Sequence, residues 1–234
     1  MTELPRPTRL CRSTPAGALI ALLLAATAAC AQSPPAAGTA AATLGAAERD
    51  SVIARAERAR SKGADSARVT IYEVSDYQCP FCARFAAETG PALDSAYVRT
   101  GKAKIVFINL PIPSHREAWA AAEGALCAGA QGKYWPMHDL LFQKQQEWSA
   151  GGLNTPKLLE YGRSLGLDAE ALRRCLDSDA VAPILVSDIM QTAGAGIGGT
   201  PTFILSAGGQ QRAVQGAQPF AAFQKEIDAL LGGK

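Results

Sequence analysis

The segment EVSDYQCPFC, residues 73–82, places two cysteines three positions apart directly after a run of strand-forming residues. Residues 69–74 are mostly β-branched or aromatic, residues 81–100 have a helical pattern, and residues 103–110 form a second strand-like run. A strand, a helix and a second strand in this order predict a parallel βαβ unit. Cys79 and Cys82 are therefore expected at its first strand-to-helix turn.

A cysteine at such a turn faces the N-terminus of the helix, where unpaired N–H groups and the macrodipole favour negative charge. The pKa of the Cys79 thiol is therefore expected to be lowered, and the thiolate is the species that attacks a disulfide. The spacing brings Cys82 within bonding reach one helical turn further on, and Pro80 suits the first helical position. The pair is predicted to cycle between dithiol and disulfide, with no bound cofactor.

Three other interpretations of the cysteine pair remain open. Zinc would need His115 and His138, which are 23 positions apart, whereas zinc ligands usually come in tight local pairs, so no metal site is predicted. A purely structural disulfide would enclose two residues and constrain the unfolded chain little. In the third interpretation the protein is a binding module with incidental cysteines, and its affinity for its partners would not change when Cys79 and Cys82 are replaced by serine.

The rest of the chain predicts one α/β domain over residues 48–234. A short surface helix is expected over residues 48–62, and after Pro111 the strand signal stops, so that residues 113–195 predict an all-helical insertion. The segments TPTFIL and QRAVQG around a Gly-Gly turn predict a hairpin, and residues 219–231 predict a closing helix. The chain is thus expected to return to its sheet after the insertion.

Residues 1–31 have the pattern of an export signal. Arg6, Arg9 and Arg12 precede an uncharged apolar run over residues 16–29, which is shorter than the roughly 20 residues that cross a bilayer as a helix. The sequence TAAC resembles a lipobox that would make Cys30 a lipidated N-terminus, while Ala29-Cys30-Ala31 also fits ordinary signal cleavage. The protein is expected in the periplasm or on the extracytoplasmic face, attached to the membrane only if Cys30 is lipidated.

The composition of the chain after the leader is consistent with an exported protein. Residues 32–47 are predicted to be a flexible tether, because this stretch is mostly Ala, Pro, Gly, Ser and Thr. The leader holds three of the 23 basic and one of the 21 acidic residues, which leaves twenty of each sign, without a basic run, so nucleic-acid binding is not expected. Four cysteines follow the leader, and an even number suits an oxidising compartment.

Two of these four, Cys127 and Cys175, lie in separate predicted helices of the insertion. Either could be a quiet buried thiol on residue-type statistics alone. In an exported chain with paired cysteines, however, they could close a loop of some fifty residues and stabilise the insertion by a few kcal/mol. A structural disulfide between Cys127 and Cys175 is therefore predicted.

The segments SDYQCPFC, CAGAQGKYWPMHDLLF, GTPTF and GAQPF, in this order, resemble the DsbA-like thiol:disulfide oxidoreductases of bacteria over about residues 69–231. The resemblance implies a thioredoxin-like fold with a central mixed β-sheet and an inserted all-helical subdomain. It also implies that Cys79 and Cys82 exchange their disulfide with cysteines of secreted proteins, as an oxidase or, alternatively, as a reductase or isomerase. An oxidase must be recharged, so a membrane quinone-linked redox partner is expected.

The resemblance further implies roles for individual residues. Glu73, six positions before Cys79, occupies the place of a family acid that relays protons to the buried sulfur; the alternative is an exposed Glu73 on an edge strand. Thr200 and Pro201 match the cis-proline loop that contacts bound peptide, although base rates alone favour a trans bond. Pro80 and Phe81 join them as expected substrate-binding residues. The two histidines are assigned capping or core contacts and no catalysis.

Overall fold

The computed structural model describes residues 44–232, all of which belong to one compact unit. The predicted export signal over residues 1–31, Cys30 and most of the predicted tether lie outside the described residues. The first helix, α1, spans Ala46–Ala59. The tether prediction was wrong for Ala46 and Ala47, because alanine, the strongest helix former, extends the helix by two residues.

A five-stranded mixed sheet forms the centre of the fold, with strand order β1-β3-β2-β4-β5. Its strands are β1 (Ser61–Lys62), β2 (Val69–Ser75), β3 (Ala103–Asn109), β4 (Thr202–Ala207) and β5 (Gln210–Gln215). Strands β2 and β3 are parallel, and the other neighbouring pairs are antiparallel. The predicted βαβ unit is therefore confirmed, and β2 has a neighbour on each side. Sequence patterns missed β1 because two residues are too few to carry a periodicity.

The segment between β2 and β3 differs from the single helix predicted over residues 81–100. It contains α2 (Pro80–Glu88), α3 (Gly90–Leu93) and a π-helical turn over Asp94–Val98. The division falls at Gly90 and Pro91. Proline has no N–H to donate to the preceding turn and glycine weakens a helix interior, so the helix is interrupted there.

The helical insertion lies between β3 and β4 and contains six helices. These are α4 (Ala118–Gly129), α5 (Tyr134–Gln143), α6 (Gln145–Trp148), α7 (Thr155–Ser164), α8 (Ala169–Asp177) and α9 (Ala182–Gly194). A disulfide joins Cys127 in α4 to Cys175 in α8, with Cα atoms 5.9 Å apart. The chain then returns to the sheet through the β4–β5 hairpin and ends in α10 (Phe220–Gly232).

Two hydrophobic clusters hold the sheet and the helices together. One packs α2, α3 and α10 on the sheet around Phe85, Phe203 and Phe223. The other fills the insertion and reaches the sheet at Phe107. Trp135 of α5 packs against both clusters, so the insertion is anchored beside the helix that carries the cysteine pair. Among residues 44–232, no helix has the length and apolarity needed to cross a membrane.

Candidate active site

Cys79 and Cys82 lie at the turn that joins β2 to α2. Cys79 is the N-cap residue of α2, with an extended backbone (φ −71°, ψ 123°), and Pro80 begins the helix. Both cysteines are free thiols; Cys79 keeps 5% of its surface exposed, and Cys82 keeps none. The outer sulfur is thus the one that another molecule can reach.

The two thiols differ strongly in acidity. The pKa of Cys79 is lowered to about 5. The Cys82 thiol, the Thr200 side chain and the N–H groups of Cys82 and Phe81 stabilise its thiolate, against the opposing effect of burial. Burial raises the pKa of Cys82 far above the usual range of a thiol. A stable outer thiolate beside a protonated inner thiol is the arrangement that thiol–disulfide exchange requires of a reduced pair.

Contacts distant in sequence hold the turn in place, and sequence reasoning missed most of them. The buried carboxylate of Asp76 accepts hydrogen bonds from the backbone N–H of Gln78 at 2.7 Å and of Ile112 at 2.8 Å, and its Oδ2 lies 2.8 Å from Nδ1 of His115. The amide of Gln145 donates to the carbonyl oxygens of Tyr77 at 2.7 Å and Cys79 at 3.0 Å. The helical insertion therefore supports the cysteine turn directly.

The loop before β4 closes the site from the other side. The Thr200–Pro201 bond is cis, and Pro201 is buried. The thiol of Cys79 donates a hydrogen bond to the carbonyl oxygen of Thr200 over 3.6 Å. A cavity of about 460 Å³ lies along residues 195–202 and reaches β5. Cys79, Thr200 and Pro201, which the sequence analysis assigned to one site, are thus brought together.

Pro80 and Phe81 lie on the surface of the same site. Pro80 is exposed, and the Phe81 side chain is 55% exposed, with the Arg84 guanidinium 5.3 Å from its ring centroid. An exposed aromatic ring next to a reactive sulfur offers apolar area to an approaching chain. The role of these two residues in substrate binding stays a prediction.

Glu73 is buried in the central strand, with 3% of its surface exposed. Its cross-strand neighbours are Phe107 on β3 and Phe203 on β4, which rules out the edge-strand alternative. Burial raises the pKa of Glu73 to about 8, and Ser75 opposes this shift. The Ser75 side chain also lowers the pKa of Cys82, so it lies near both groups. Neither Oε1 of Glu73 nor Oγ of Ser75 has a hydrogen-bond partner of ordinary geometry.

The two histidines contact aspartates and not the cysteine pair. His115 contacts Asp76, and Nδ1 of His138 lies 2.9 Å from Oδ1 of Asp139. Within residues 44–232, no three histidine, cysteine, aspartate or glutamate side chains are grouped as metal ligands.

Comparison with known proteins agrees with this geometry. A family model described as thioredoxin matches residues 55–229. The chain belongs to the thioredoxin family. The crystal structure of Wolbachia pipientis α-DsbA1 superposes with a TM-score of 0.67 at 20% identity, covering 74% of this chain and 90% of that one. The predicted DsbA-like fold is thereby confirmed.

Two curated relatives extend the comparison of this family member. The chain is 26% identical over 178 residues to disulfide bond formation protein D of Bacillus subtilis, covering 74% of this chain and 77% of that protein. It is 32% identical over 151 residues to the Na(+)/H(+) antiporter NhaA 3 of Salinispora tropica, covering 64% of this chain. The chain spans only 22% of the length of that antiporter, so the similarity concerns one segment of it.

Proposed function

We propose that this protein is an exported thiol:disulfide oxidoreductase that passes a Cys79–Cys82 disulfide to cysteines of secreted proteins. The observation that carries the proposal is the position of the two thiols: Cys79 is the N-cap residue of α2 beside Thr200, whereas Cys82 is fully buried. Cys79 has a pKa of about 5, whereas burial keeps Cys82 protonated. A buried staple would need no such difference, because neither sulfur of a permanent disulfide titrates.

The exchange proceeds in two displacements. A substrate thiolate attacks the Cys79 sulfur, the Cys79–Cys82 bond breaks, and its electron pair goes to Cys82, which takes up a proton. A second substrate thiolate then attacks the substrate sulfur of the mixed disulfide, and Cys79 leaves as a thiolate. The substrate has lost two electrons and gained a disulfide, and the enzyme pair holds those electrons as one thiolate and one thiol.

The low pKa of Cys79 favours the oxidase direction. A thiolate that the protein stabilises is a good leaving group, and it stabilises the reduced form of the enzyme relative to the disulfide. Pro80 and Phe81 contribute no ionisable group, but hydrogen bonds from the Thr200 and Cys82 side chains and from the first turn of α2 supply the stabilisation. Reduction or isomerisation by the same pair is the alternative outcome.

Glu73 is proposed to serve the inner sulfur. With a pKa of about 8, its carboxyl group is mostly protonated at neutral pH and can give a proton to Cys82 as that sulfur leaves, or take one back when the pair is reoxidised. Ser75, whose side chain is near both groups, provides a contact between them. Thr200, Pro201, Pro80 and Phe81 are proposed to receive the substrate chain around Cys79.

The proposal includes a location and a recharging partner. Residues 1–31 are proposed to direct export to the periplasm or the extracytoplasmic face, with lipidation at Cys30 as the alternative to a soluble mature form. A quinone-linked membrane protein is proposed to reoxidise the pair. The mass of the mature N-terminus would decide between lipidation and simple cleavage.

A substrate-oxidation assay tests the function. The oxidised protein is mixed with a reduced, unfolded protein that contains cysteine pairs, and disulfides formed are counted against enzyme consumed. We expect one substrate disulfide per chain, no reaction with Cys79→Ser, and full reaction with the Cys127→Ala/Cys175→Ala variant. Reaction only with a disulfide substrate would make the protein a reductase. Substrate binding that is unchanged after both active-site cysteines are replaced by serine, without exchange, would make it a binding module.

A further inference from the structure

A second cavity lies beside α2, the helix that begins next to Cys79, and Thr200 and Pro201 are not among its lining residues. Its volume is about 590 Å³, and it is bounded by α2, α3, α5 and the sheet. Its walls are largely apolar, formed by residues that include Ala83, Phe85, Ile105, Trp135 and Phe142. A water molecule occupies about 30 Å³ of liquid volume, so the cavity can hold a chain of waters where polar groups line it.

Two buried side chains supply such polar groups, and each has an atom without a hydrogen-bond partner. Glu73 and His138 both line the cavity, and they are 3% and 6% exposed. Oε1 of Glu73 and Nε2 of His138 are buried and make no hydrogen bond within the protein. A buried polar atom without a partner is costly, so two of them on residues that line one cavity suggest that the cavity receives hydrogen-bonding molecules.

Asp139 determines which nitrogen of His138 is available. Nδ1 of His138 lies 2.9 Å from Oδ1 of Asp139, and an ionised carboxylate can only accept a hydrogen bond, so Nδ1 carries the hydrogen. Burial lowers the pKa of His138, which keeps the ring neutral near pH 7 and leaves a free lone pair on Nε2. Asp139 itself is exposed to solvent, so the dyad spans the distance from the cavity to the surface.

From this geometry we propose that the cavity is the proton path of Glu73, and that the His138–Asp139 dyad passes protons between Glu73 and solvent through cavity water. The inference rests on the proposed exchange chemistry. When Cys82 leaves the disulfide it takes the Glu73 proton, and the Glu73 carboxylate takes a proton back from the cavity water. When Cys82 must lose its proton, the proton passes to Glu73 and through cavity water to Nε2 of His138, while Nδ1 gives its hydrogen to Asp139, which releases it to solvent. His138 acts through Glu73 and is therefore a positioning residue, not a catalytic one.

The other charged and titratable groups around His138 do not compete for this role. Lys62 of β1 and Asp94 of the π-helical turn line the cavity and form an ion pair with each other at 3.0 Å. The hydroxyls of Tyr77 and Tyr134 lie 3.2 Å apart, and burial raises the pKa of both well above neutrality. Besides Asp139, Glu73 and His138 are thus the titratable lining residues that are not engaged in these pairs.

The step to measure is the one in which Cys82 must lose its proton. The reduced full chain is mixed with a small disulfide such as oxidised glutathione; attack by Cys79 gives a mixed disulfide, and Cys82 then displaces the glutathione thiolate. Rapid quenching separates the rates of the two steps as a function of pH. The variants are His138→Phe, which keeps an aromatic ring without nitrogens, and Asp139→Asn at the exposed end of the dyad, with the exposed Asp50→Asn as the matched control.

We expect the second step to slow about 10-fold in both dyad variants, with a changed pH profile, while the first step and the control keep wild-type rates. An unchanged second step in Asp139→Asn would overturn the inference even if His138→Phe fails to fold. An equal loss in both steps would also overturn it, because a structural defect would not act selectively on the removal of the Cys82 proton. Absence of any exchange in the wild-type protein would instead refute the proposed function.

Discussion

The thiol of Cys79 contacts the carbonyl oxygen of Thr200 over 3.6 Å, although the two residues are 121 positions apart in the chain. The Thr200 side chain also contributes to the low pKa of Cys79, although its buried Oγ1 has no hydrogen-bond partner of ordinary geometry. Residues from two distant segments therefore set the acidity of one sulfur.

Replacing Thr200 by valine should raise the pKa of Cys79. The change removes the hydroxyl and keeps the branched shape, and the loss of a polar group beside the thiolate should raise the pKa by about one unit. The ultraviolet absorbance of the thiolate, followed through a pH titration, measures this directly. Thr70→Val on β2 is the control and should leave the titration unchanged. A wild-type midpoint in Thr200→Val would contradict the assigned contact.

Replacing Glu73 by glutamine should change the pH dependence of stability. Burial raises the pKa of Glu73 from 4.5 to about 8, so the folded protein binds this proton more tightly than the unfolded chain does. The stability that protonated Glu73 contributes is full below pH 4.5 and is lost as the pH rises to about 8. In the oxidised protein, where Cys79 and Cys82 do not titrate, Glu73→Gln should therefore be more stable than wild type at pH 8 by ~2–4 kcal/mol.

Urea denaturation of both oxidised proteins at pH 4.5 and pH 8 checks this expectation. The two should have nearly equal free energies of unfolding at the lower pH and differ at the higher one. A difference that is the same at both pH values would show that Glu73 does not titrate in the folded protein as described here.

Removing the Cys127–Cys175 disulfide should lower stability without changing the chemistry at Cys79. The two cysteines are 48 positions apart, and closing a loop of that length is worth about 4 kcal/mol in the chain-entropy treatment. We expect Cys127→Ala/Cys175→Ala to lose about 3–4 kcal/mol of unfolding free energy. The redox potential of the Cys79–Cys82 pair should stay at its wild-type value. A shifted potential would mean that the insertion disulfide influences the active site.

Gln145 offers a test of how the insertion supports the cysteine turn. Its buried amide donates to two backbone carbonyls, at Tyr77 and Cys79, and leucine would leave both without these partners. We expect Gln145→Leu to lose about 2–3 kcal/mol of stability. Hydrogen exchange should become faster in the turn that carries Cys79. Gln146→Leu, at the exposed neighbouring position, should change neither the stability nor the hydrogen exchange of the turn. Equal effects in the two variants would contradict the role assigned to Gln145.

The parts of the fold that sequence could predict are those with local signals. The strand before Cys79, the helix start at Pro80 and the helical periodicity of the insertion follow from residue patterns over a few turns. Cys127 and Cys175 could be paired because they were the two cysteines beyond the leader that lay outside the Cys-x-x-Cys motif. The interruption at Gly90-Pro91 is also encoded locally, although the periodic pattern over residues 81–100 predicts a single helix.

The supporting contacts of the site could not be read in the same way. Gln145 reaches Tyr77 and Cys79 across 66 or more positions, and one glutamine among many carries no pattern that distinguishes it. His138 looked like an ordinary core histidine, and only the cavity it shares with Glu73 indicates otherwise. Such contacts depend on how the insertion packs on the sheet, which no local spacing encodes.

The redox potential of the Cys79–Cys82 pair, measured by equilibrating the full chain with defined thiol buffers, tests the central claim most directly. Stabilisation of the Cys79 thiolate by the Cys82 thiol, Thr200 and the start of α2 predicts an oxidising pair, with a potential near about −120 mV. A potential near about −270 mV would contradict the oxidase proposal and assign the protein to the reductases. Failure of the pair to form a reversible couple at all would contradict the exchange chemistry itself.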